Sequence, residues 1–303
     1  MNRVSGYHDP VLLHDCVVGL NIRPDGVYVD VTFGGGGHSR AILDKLGPHG
    51  ALVGFDRDAD AQANRIDDRR FTLVRSDFRW LKNQLRFLHM LPVDGILADL
   101  GVSSHQFDTG ARGFSFRSDG PLDMRMDRRA KRTAADLVNT LDEAALAHLL
   151  RAYGEVDGAR RVAKAIVKAR GARRIATTNG LLDALAPVTP RASENSFRAQ
   201  VFQALRIAVN DELASLEALL ELSTEVIKPG GRLAIISYHS LEDRLVKNWM
   251  RSGDLAGEET KDLYGNRIRP FAPLSNKATQ PSPEEIARNP RARSARLRIA
   301  ERQ

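Results

Sequence analysis

A single cysteine, Cys16, occurs in 303 residues, which rules out an internal disulfide and suits a reducing cytosol. Zinc-finger spacing is absent, and the eight histidines are scattered with no H-E-x-x-H pair. No apolar stretch approaches membrane-spanning length. The opening residues, Met1 to His8, also lack the apolar run of a signal peptide, so the expected location is the cytoplasm. No internal repeat is found. What is in excess is positive charge: 45 Lys+Arg against 38 Asp+Glu, a net +7. That balance permits a polyanionic partner without requiring one. The length suits one large domain, or one domain carrying an insertion.

The most informative segment is a glycine cluster directly after an apolar strand, Val27-Tyr28-Val29-Asp30-Val31-Thr32-Phe33-Gly34-Gly35-Gly36-Gly37-His38. About twenty residues later a second strand ends in an acid, Ala51-Leu52-Val53-Gly54-Phe55-Asp56. Glycines let the backbone turn sharply and approach a ligand closely. An acid at the tip of the next strand is placed to accept hydrogen bonds from both hydroxyls of a ribose. The dinucleotide fingerprint G-x-G-x-x-G fails, because counting from Gly34 its third glycine is Ser39, and from Gly35 it is Arg40. A pyrophosphate is therefore not provided for. A nucleoside cofactor without phosphates, S-adenosylmethionine, fits better than a nicotinamide dinucleotide.

Strands expected at 26–31, 52–55, 71–74 and 93–97 alternate with helical stretches, a rhythm that predicts a parallel sheet with helices on both faces. The helix after the glycines carries Ala41, Ile42 and Leu46, and another follows over 59–66. The next strand, 231–237, comes only after a mostly helical stretch. Within it Thr133 opens a helix bearing Leu137, Leu141, Leu146, Leu149 and Leu150, which Gly154 closes. Residues 160–169 are amphipathic, Thr178 opens a short helix, and one long helix is expected from about 196 to 227. The domains predicted are 1–106 with 195–303 for the sheet, and 107–194 as an inserted helical subdomain. Residues 252–280 read as a mobile polar loop, and Ser282 with Glu285 as a capping box. Residues 293–300 alternate basic and apolar side chains, as in a strand with arginines in water, either a charge-protected edge or an RNA contact.

Ligand sites in such sheets lie beyond the carboxyl ends of the strands. Asp56 is the expected ribose ligand, or else a helix N-cap. Phe78 either stacks on an adenine or packs in the core, and Asp77 either accepts the adenine amino group or sits in water. Asp99, ending Gly95-Ile96-Leu97-Ala98-Asp99, is partly desolvated and needs a partner. It lies where the transferred group should sit, and can attract a sulfonium or accept from a substrate amine. Gln106 with Ser103 and Ser104 can orient either ligand. His239, at the tip of the fifth strand, is a candidate proton acceptor or base-positioning group, or a hydrogen-bonded loop histidine.

Arginines and aromatics mix over 112–129, where Arg112, Arg117 and Arg125 can pair with phosphate and Phe114 or Phe116 can stack on a base. The interleaved Asp119, Asp123 and Asp127 offer the alternative of a structured lid. The better electrostatic footprint is the outward face of Arg160, Arg161, Lys164, Lys168 and Arg170.

Taken together, the chain resembles, nearly end to end, the bacterial 16S ribosomal RNA cytosine-N4 methyltransferases (the RsmH or MraW family). The matching segments include Tyr7-His8 with Pro10-Val11-Leu12-Leu13, Thr32-Phe33-Gly34 with Gly36-Gly37-His38-Ser39, and Asp56-Arg57-Asp58. Further matches are Asp99-Leu100-Gly101-Val102-Ser103-Ser104, Arg112-Gly113-Phe114-Ser115-Phe116, His239-Ser240-Leu241-Glu242-Asp243-Arg244 and Asn289-Pro290-Arg291-Ala292-Arg293-Ser294. The resemblance implies a Rossmann-like class I methyltransferase with a mostly parallel sheet and an inserted helical subdomain for substrate recognition. It implies S-adenosylmethionine as donor and, as acceptor, the N4 of a decoding-centre cytosine (position 1402 of 16S ribosomal RNA), within the 30S subunit. Oligomeric state is left open, a homodimer included. Cofactor contacts carry over onto Gly36, Gly37, His38, Asp56, Phe78, Asp99 and Gln106. Three positions depart from the family pattern: Arg75-Ser76-Asp77 before Phe78, His105 in place of a proline, and Val156 in place of a second acid after Glu155. The Asn/Asp-Pro-Pro-Tyr tetrad of many amino methyltransferases is absent, and Asp99-Leu100-Gly101-Val102 stands in its place. The rivals are a nicotinamide-dependent oxidoreductase and a non-catalytic RNA-binding assembly factor.

Overall fold

Apolar residues two apart, such as Val27 and Val29, alternate in β1 (Val27–Asp30) with Tyr28 and Asp30, so the strand presents two different faces. Tyr28 packs with Leu52, Leu97 and Ile236 on one side of a sheet, and Val29 packs with Val53, Ile96 and Ile235 on the other. Both faces are covered, which is why β4 (Val93–Asp99) is buried from Val93 to Ala98 and reads as an apolar run from Gly95 to Ala98. The computed structural model describes residues 10–265 and 267–303, so the Tyr7-His8 part of the resemblance lies outside the described residues.

The chain folds as two units, one running up to Gly101 and resuming at Leu213–Gln303, the other Val102–Glu212. The first unit begins with α1 (Leu13–Gly19), β1, α2 (Gly37–Leu43), β2 (Ala51–Phe55), β3 (Phe71–Val74), α3 (Leu81–Phe87) and β4. The second contains α4 (Ser104–Asp108), α5 (Ala134–Thr140), α6 (Glu143–Gly154), α7 (Ala159–Ala172), α8 (Thr178–Leu185) and α9 (Glu194–Asn210). The first then continues through α10 (Glu212–Val226), β5 (Ile227–Ser237) and α11 (Ser240–Ser252). It ends with β6 (Thr260–Lys261), β7 (Arg267–Ile268), β8 (Phe271–Pro273), α12 (Pro283–Arg288) and β9 (Arg296–Arg302).

Seven strands form one sheet in the order β3-β2-β1-β4-β5-β9-β8. β1 to β5 are parallel, with Val29 opposite Val53 and Ile96, and β9 runs antiparallel to both β5 and β8. This is the Rossmann-like methyltransferase sheet that the family resemblance implied. The order reverses between β1 and β4, and open α/β sheets bind ligands at such a switch point, beyond the strands' carboxyl ends.

Several expected elements take a different form. The long helix expected over 196–227 is two helices, α9 and α10, because Asp211 adopts the left-handed conformation (φ 53°). α9 and residues 102–106 belong to the helical unit, so the units divide at 101/102 and 212/213 and not at the boundaries expected from composition. The Thr133 helix is also two, since Leu141 is extended and the Asp142 side chain caps α6. Thr133 does cap α5, in a reciprocal box with Asp136. α8 opens at Thr178 as expected, with Thr177 as its cap. Residues 59–64 form only a 3₁₀ helix, and α2 ends before Leu46. The polar stretch 252–280 contains β6, β7 and β8. β9 is flanked on both sides, hence no edge, and Arg298 is held against Asp243 (2.7 and 3.2 Å) and is not in open water.

The helical unit has its own core, in which Leu146 and Leu150 of α6 share a cluster with Val162 and Ile166 of α7 and Phe202 and Leu205 of α9. Its end is locked by Asn210. The Asn210 Oδ1 accepts from the Met126 amide at 2.7 Å, while Nδ2 donates to the carbonyls of Met124 (2.7 Å) and Arg206 (2.9 Å). Met124 itself has positive φ (61°), so this side chain pins a loop that ordinary backbone preference would not hold. Asn210→Ala strands these buried groups and should lower unfolding free energy by about 2–4 kcal/mol, read from denaturant titration.

Candidate functional site

The turn after β1 is shaped by backbone constraints. Gly34 (φ 50°) and Gly36 (φ 74°) are left-handed, where a side chain is strained. At Gly37 the reason is space: a Cβ would fall 2.3 Å from Pro10 Cγ. A Cβ at Gly34 would meet only the Thr32 carbonyl at 3.8 Å, leaving bare backbone with open space beside it. The Gly34 amide donates to Asp56 Oδ2 at 2.9 Å, and the Asp58 amide donates to Oδ1 at 2.8 Å. The glycine turn and the acid at the tip of β2 are thus joined directly. Each carboxylate oxygen keeps a lone pair for a further donor. Burial pushes the Asp56 carboxyl up to about 6, against the opposing pull of these two amides.

A second acid closes the adjacent side. The Asp99 amide donates to Thr32 Oγ1 at 2.6 Å, and the Thr32 amide donates to buried Asp30 at 3.1 Å, so β1 and β4 are tied at their tips. Ser39 of α2 donates to the other Asp30 oxygen at 2.7 Å, fixing the helix to the same point. The Asp99 side chain is a quarter exposed. Its Oδ1 accepts from the Tyr238 hydroxyl at 2.7 Å, and its Oδ2 lies 3.8 Å from His38 Nδ1. Because His38 Nε2 is 3.0 Å from the Val11 carbonyl, which can only accept, that nitrogen carries the proton. Burial raises the Asp99 carboxyl above its usual range, opposed by His38 and Tyr238, and raises the Tyr238 hydroxyl far above its own.

One oxyacid, one phenol and one imidazole therefore converge beside the bare turn that carries Asp56. Gly101 follows with φ 94°, and a Cβ there would meet only Tyr238 Cδ2 at 3.7 Å. The residues suit a nucleoside with a cationic centre: an acid for hydroxyls, open backbone, and a second acid on the same edge.

The other expected site residues divide. Gly36, Gly37, His38, Asp56 and Asp99 come together at the tips of β1, β2 and β4. Phe78 begins the 3₁₀ turn after β3 and is partly buried against the sheet core. Asp77 is no free acceptor, because it caps that turn through the Arg79 amide and pairs with Arg57 at 3.1 Å. Gln106 lies in the helical unit, where its Oε1 accepts from the Ser103 amide in a reciprocal capping box. His239 caps α11: its Nδ1 accepts from the Glu242 amide at 3.4 Å, and Glu242 Oε1 lies 3.2 Å from Nε2. His239 thus occupies a helix cap at the strand tip.

The basic stretch 112–129 requires correction. Arg112 is buried at 2% exposure, and its Nη2 donates to the carbonyls of Arg125 and Met126. Arg125 grips Asp123 with two nitrogens and donates to two further carbonyls. Phe114 is core, and Phe116 packs edge-on against Phe202 at 5.6 Å. Asp119 accepts from Thr178 and Asn179. The segment is a structured loop, and neither Arg112 nor Arg125 presents a free guanidinium. Arg117 remains exposed. On α7, Arg160, Arg161, Lys164 and Lys168 are all exposed, at spacings that share one face, whereas Arg170 donates to the carbonyls of Val138 and Leu141.

Asp30, Thr32 and Tyr238 were not singled out from the sequence. An acid interrupting an apolar strand is a signal that points to Asp30. For Tyr238 the position one residue past the fifth strand is the only clue, and the Asp99 contact spans 139 residues.

A model of the MraW methylase family matches residues 5–303. The chain is 55% identical over 296 residues to "Ribosomal RNA small subunit methyltransferase H" of Bacteroides fragilis (strain YCH46), covering 98% of this chain and 97% of that protein. It is 56% identical over 299 residues to the protein of that name from Cytophaga hutchinsonii, covering 98% and 100%. It is 52% identical over 302 residues to that from Flavobacterium johnsoniae, covering 100% of both.

Proposed function

The chain belongs to the MraW methylase family, and from that premise we propose that it methylates the exocyclic N4 of a decoding-centre cytosine in 16S ribosomal RNA, within a nearly assembled small subunit. It is a methyltransferase whose donor is S-adenosylmethionine, and the methylation of small-subunit ribosomal RNA follows its relatives. The carrying observation is the Asp99 carboxylate, aimed by Tyr238 and Thr32 beside the turn that holds Asp56.

S-adenosylmethionine supplies an electrophilic methyl carbon on a sulfonium. Asp56 accepts from the ribose hydroxyls, and the open backbone at Gly34 lets the nucleoside lie close. Asp99 would accept an N–H of the cytosine amine and take the proton that this nitrogen sheds once methylated; unaided, the nitrogen is conjugated into the ring and weakly nucleophilic. Tyr238 keeps one Asp99 oxygen occupied, so the other is the one presented. Positioning of this kind supplies a large part of the barrier reduction. The base has to leave its stack, at a cost of about a few kcal/mol. The helical unit then serves substrate recognition, with Arg160, Arg161, Lys164 and Lys168 of α7, and Arg117, meeting phosphates.

Incubating the protein with undermethylated small subunits and labelled donor, followed by mass mapping of digested ribosomal RNA, should place the label on N4-methylcytidine at a single position. Label on carbon 5 of cytosine, or on another nucleoside, would refute the assignment.

A further inference from the structure

Tyr238, whose hydroxyl meets Asp99, also lines a second cavity, together with His239, Gln280, Arg293, Ser294 and Arg296. We propose that this cavity binds a backbone phosphodiester of RNA next to the methylated nucleotide. The proposal rests on the ribosomal RNA reading above and specifies how that substrate is gripped.

The cavity measures about 170 Å³. That is below the roughly 300–1,000 Å³ of pockets that enclose drug-sized ligands, so it suits a phosphate group and not a whole nucleotide. Its lining is cationic. Arg293 is exposed and makes no ion pair among the described residues. Arg296 shares Asp243 with Arg298, so two guanidiniums face one carboxylate and a positive charge is left over. Glu242 is buried and already accepts from the Tyr238 amide at 2.9 Å.

His239 gives the cavity a fixed wall. Its side chain is only 8% exposed, its Nδ1 accepts from the Glu242 amide, and its Nε2 lies 3.2 Å from Glu242 Oε1, so the ring is held by the first turn of α11.

Local sequence explains the shape. Asn289 caps the turn that begins at Pro290, and Ala292 and Ala295 are buried, which leaves Arg293 and Ser294 outermost. Thr279 and Leu297 exchange two backbone hydrogen bonds at 2.9 Å, holding Gln280 beside Arg296. The segment from Asn289 to Ser294 matches the family and has no part in the cofactor site. An adjacent phosphate grip accounts for it: RNA anchored here delivers its neighbouring base past Tyr238 toward Asp99.

The test is Arg293→Ala, a surface change outside the reacting centre, compared with Arg293→Lys and the unaltered protein. Binding to undermethylated small subunits is measured across salt concentrations, alongside kcat, donor affinity and titration with inorganic phosphate. Arg293→Ala should weaken subunit binding about tenfold at physiological salt and make the slope of log K against log salt shallower by about one. Donor affinity and kcat at saturating subunits should not change, and Arg293→Lys should retain the slope. An unchanged slope and affinity in Arg293→Ala would overturn the proposal. So would a loss of inorganic phosphate binding with subunit affinity intact, which would assign the cavity to a free anion. Failure of the unaltered protein to methylate small subunits while still binding donor would sink the ribosomal RNA reading itself, and is read before any variant.

Discussion

Asp99→Ala should cut methyl transfer by about a thousandfold or more, with donor affinity changed by no more than about tenfold. The carboxylate is the one acceptor at the end of β4 already oriented by neighbours, with Thr32 on its amide and Tyr238 on one oxygen. Removing it leaves the amine unaligned and strands a buried phenol. Tyr238→Phe keeps the acid and frees its aim, so a smaller loss is expected, about tenfold to a hundredfold in kcat. The pH profile gives a separate reading. Burial raises the Asp99 carboxyl, so its ionised, accepting form is lost as pH falls through a value above the ordinary carboxylate range. The rate should show an acid limb there, and Asp99→Asn should lack it. Near-normal turnover in Asp99→Ala, measured in single-turnover assays with small subunits, would remove Asp99 from the chemistry.

Asp56→Asn should weaken donor binding by about a hundredfold or more, because an amide cannot accept from two hydroxyls while receiving the amides of Gly34 and Asp58. Donor affinity in the unaltered protein should also fall as pH drops below about 6, where the carboxyl takes up a proton. Stability moves in the opposite sense. The folded-state value of about 6 lies above the ordinary 3.8, so the folded form binds this proton more tightly than the unfolded chain does. The stabilising contribution is therefore complete below about pH 4 and is lost as pH rises through 6. Its full size is about 3 kcal/mol at most, since one pKa unit is about 1.4 kcal/mol. The stability difference between the unaltered protein and Asp56→Asn, followed by denaturant titration without donor, should shift against the unaltered protein over pH 4 to 7. Calorimetric titration with S-adenosylmethionine over the same range checks the affinity. A flat affinity from pH 5 to 8 would contradict the role given to Asp56.

The sheet, the glycine turn and the two acids at its edge were all legible along the chain. Parallel strands buried on both faces appear as apolar runs of fixed length, and a ligand edge appears as the residues that terminate them. Asp56 and Asp99 are such terminators, and each is found by reading no more than five residues upstream. Where the chain bends back on itself, local pattern failed. The 196–227 stretch is periodic enough for one helix, yet Asp211 breaks it because Asn210 is needed to tie down Met124 and Met126, over 80 residues away. Arg112 and Arg125 look basic in one dimension, but Arg125 is paired with Asp123 and Arg112 is buried against carbonyls that only folding brings within reach.

Sequence alone thus determined the class of sheet, through short-range periodicity, and the family, through motifs of residues adjacent in the chain. Tertiary structure alone decided that Tyr238 aims Asp99, that Arg112 is a core residue, and that Arg293 and Arg296 meet Tyr238 around one cavity. Each of those is a contact across long chain separation, and hydrogen-bond geometry and desolvation have no trace in linear order.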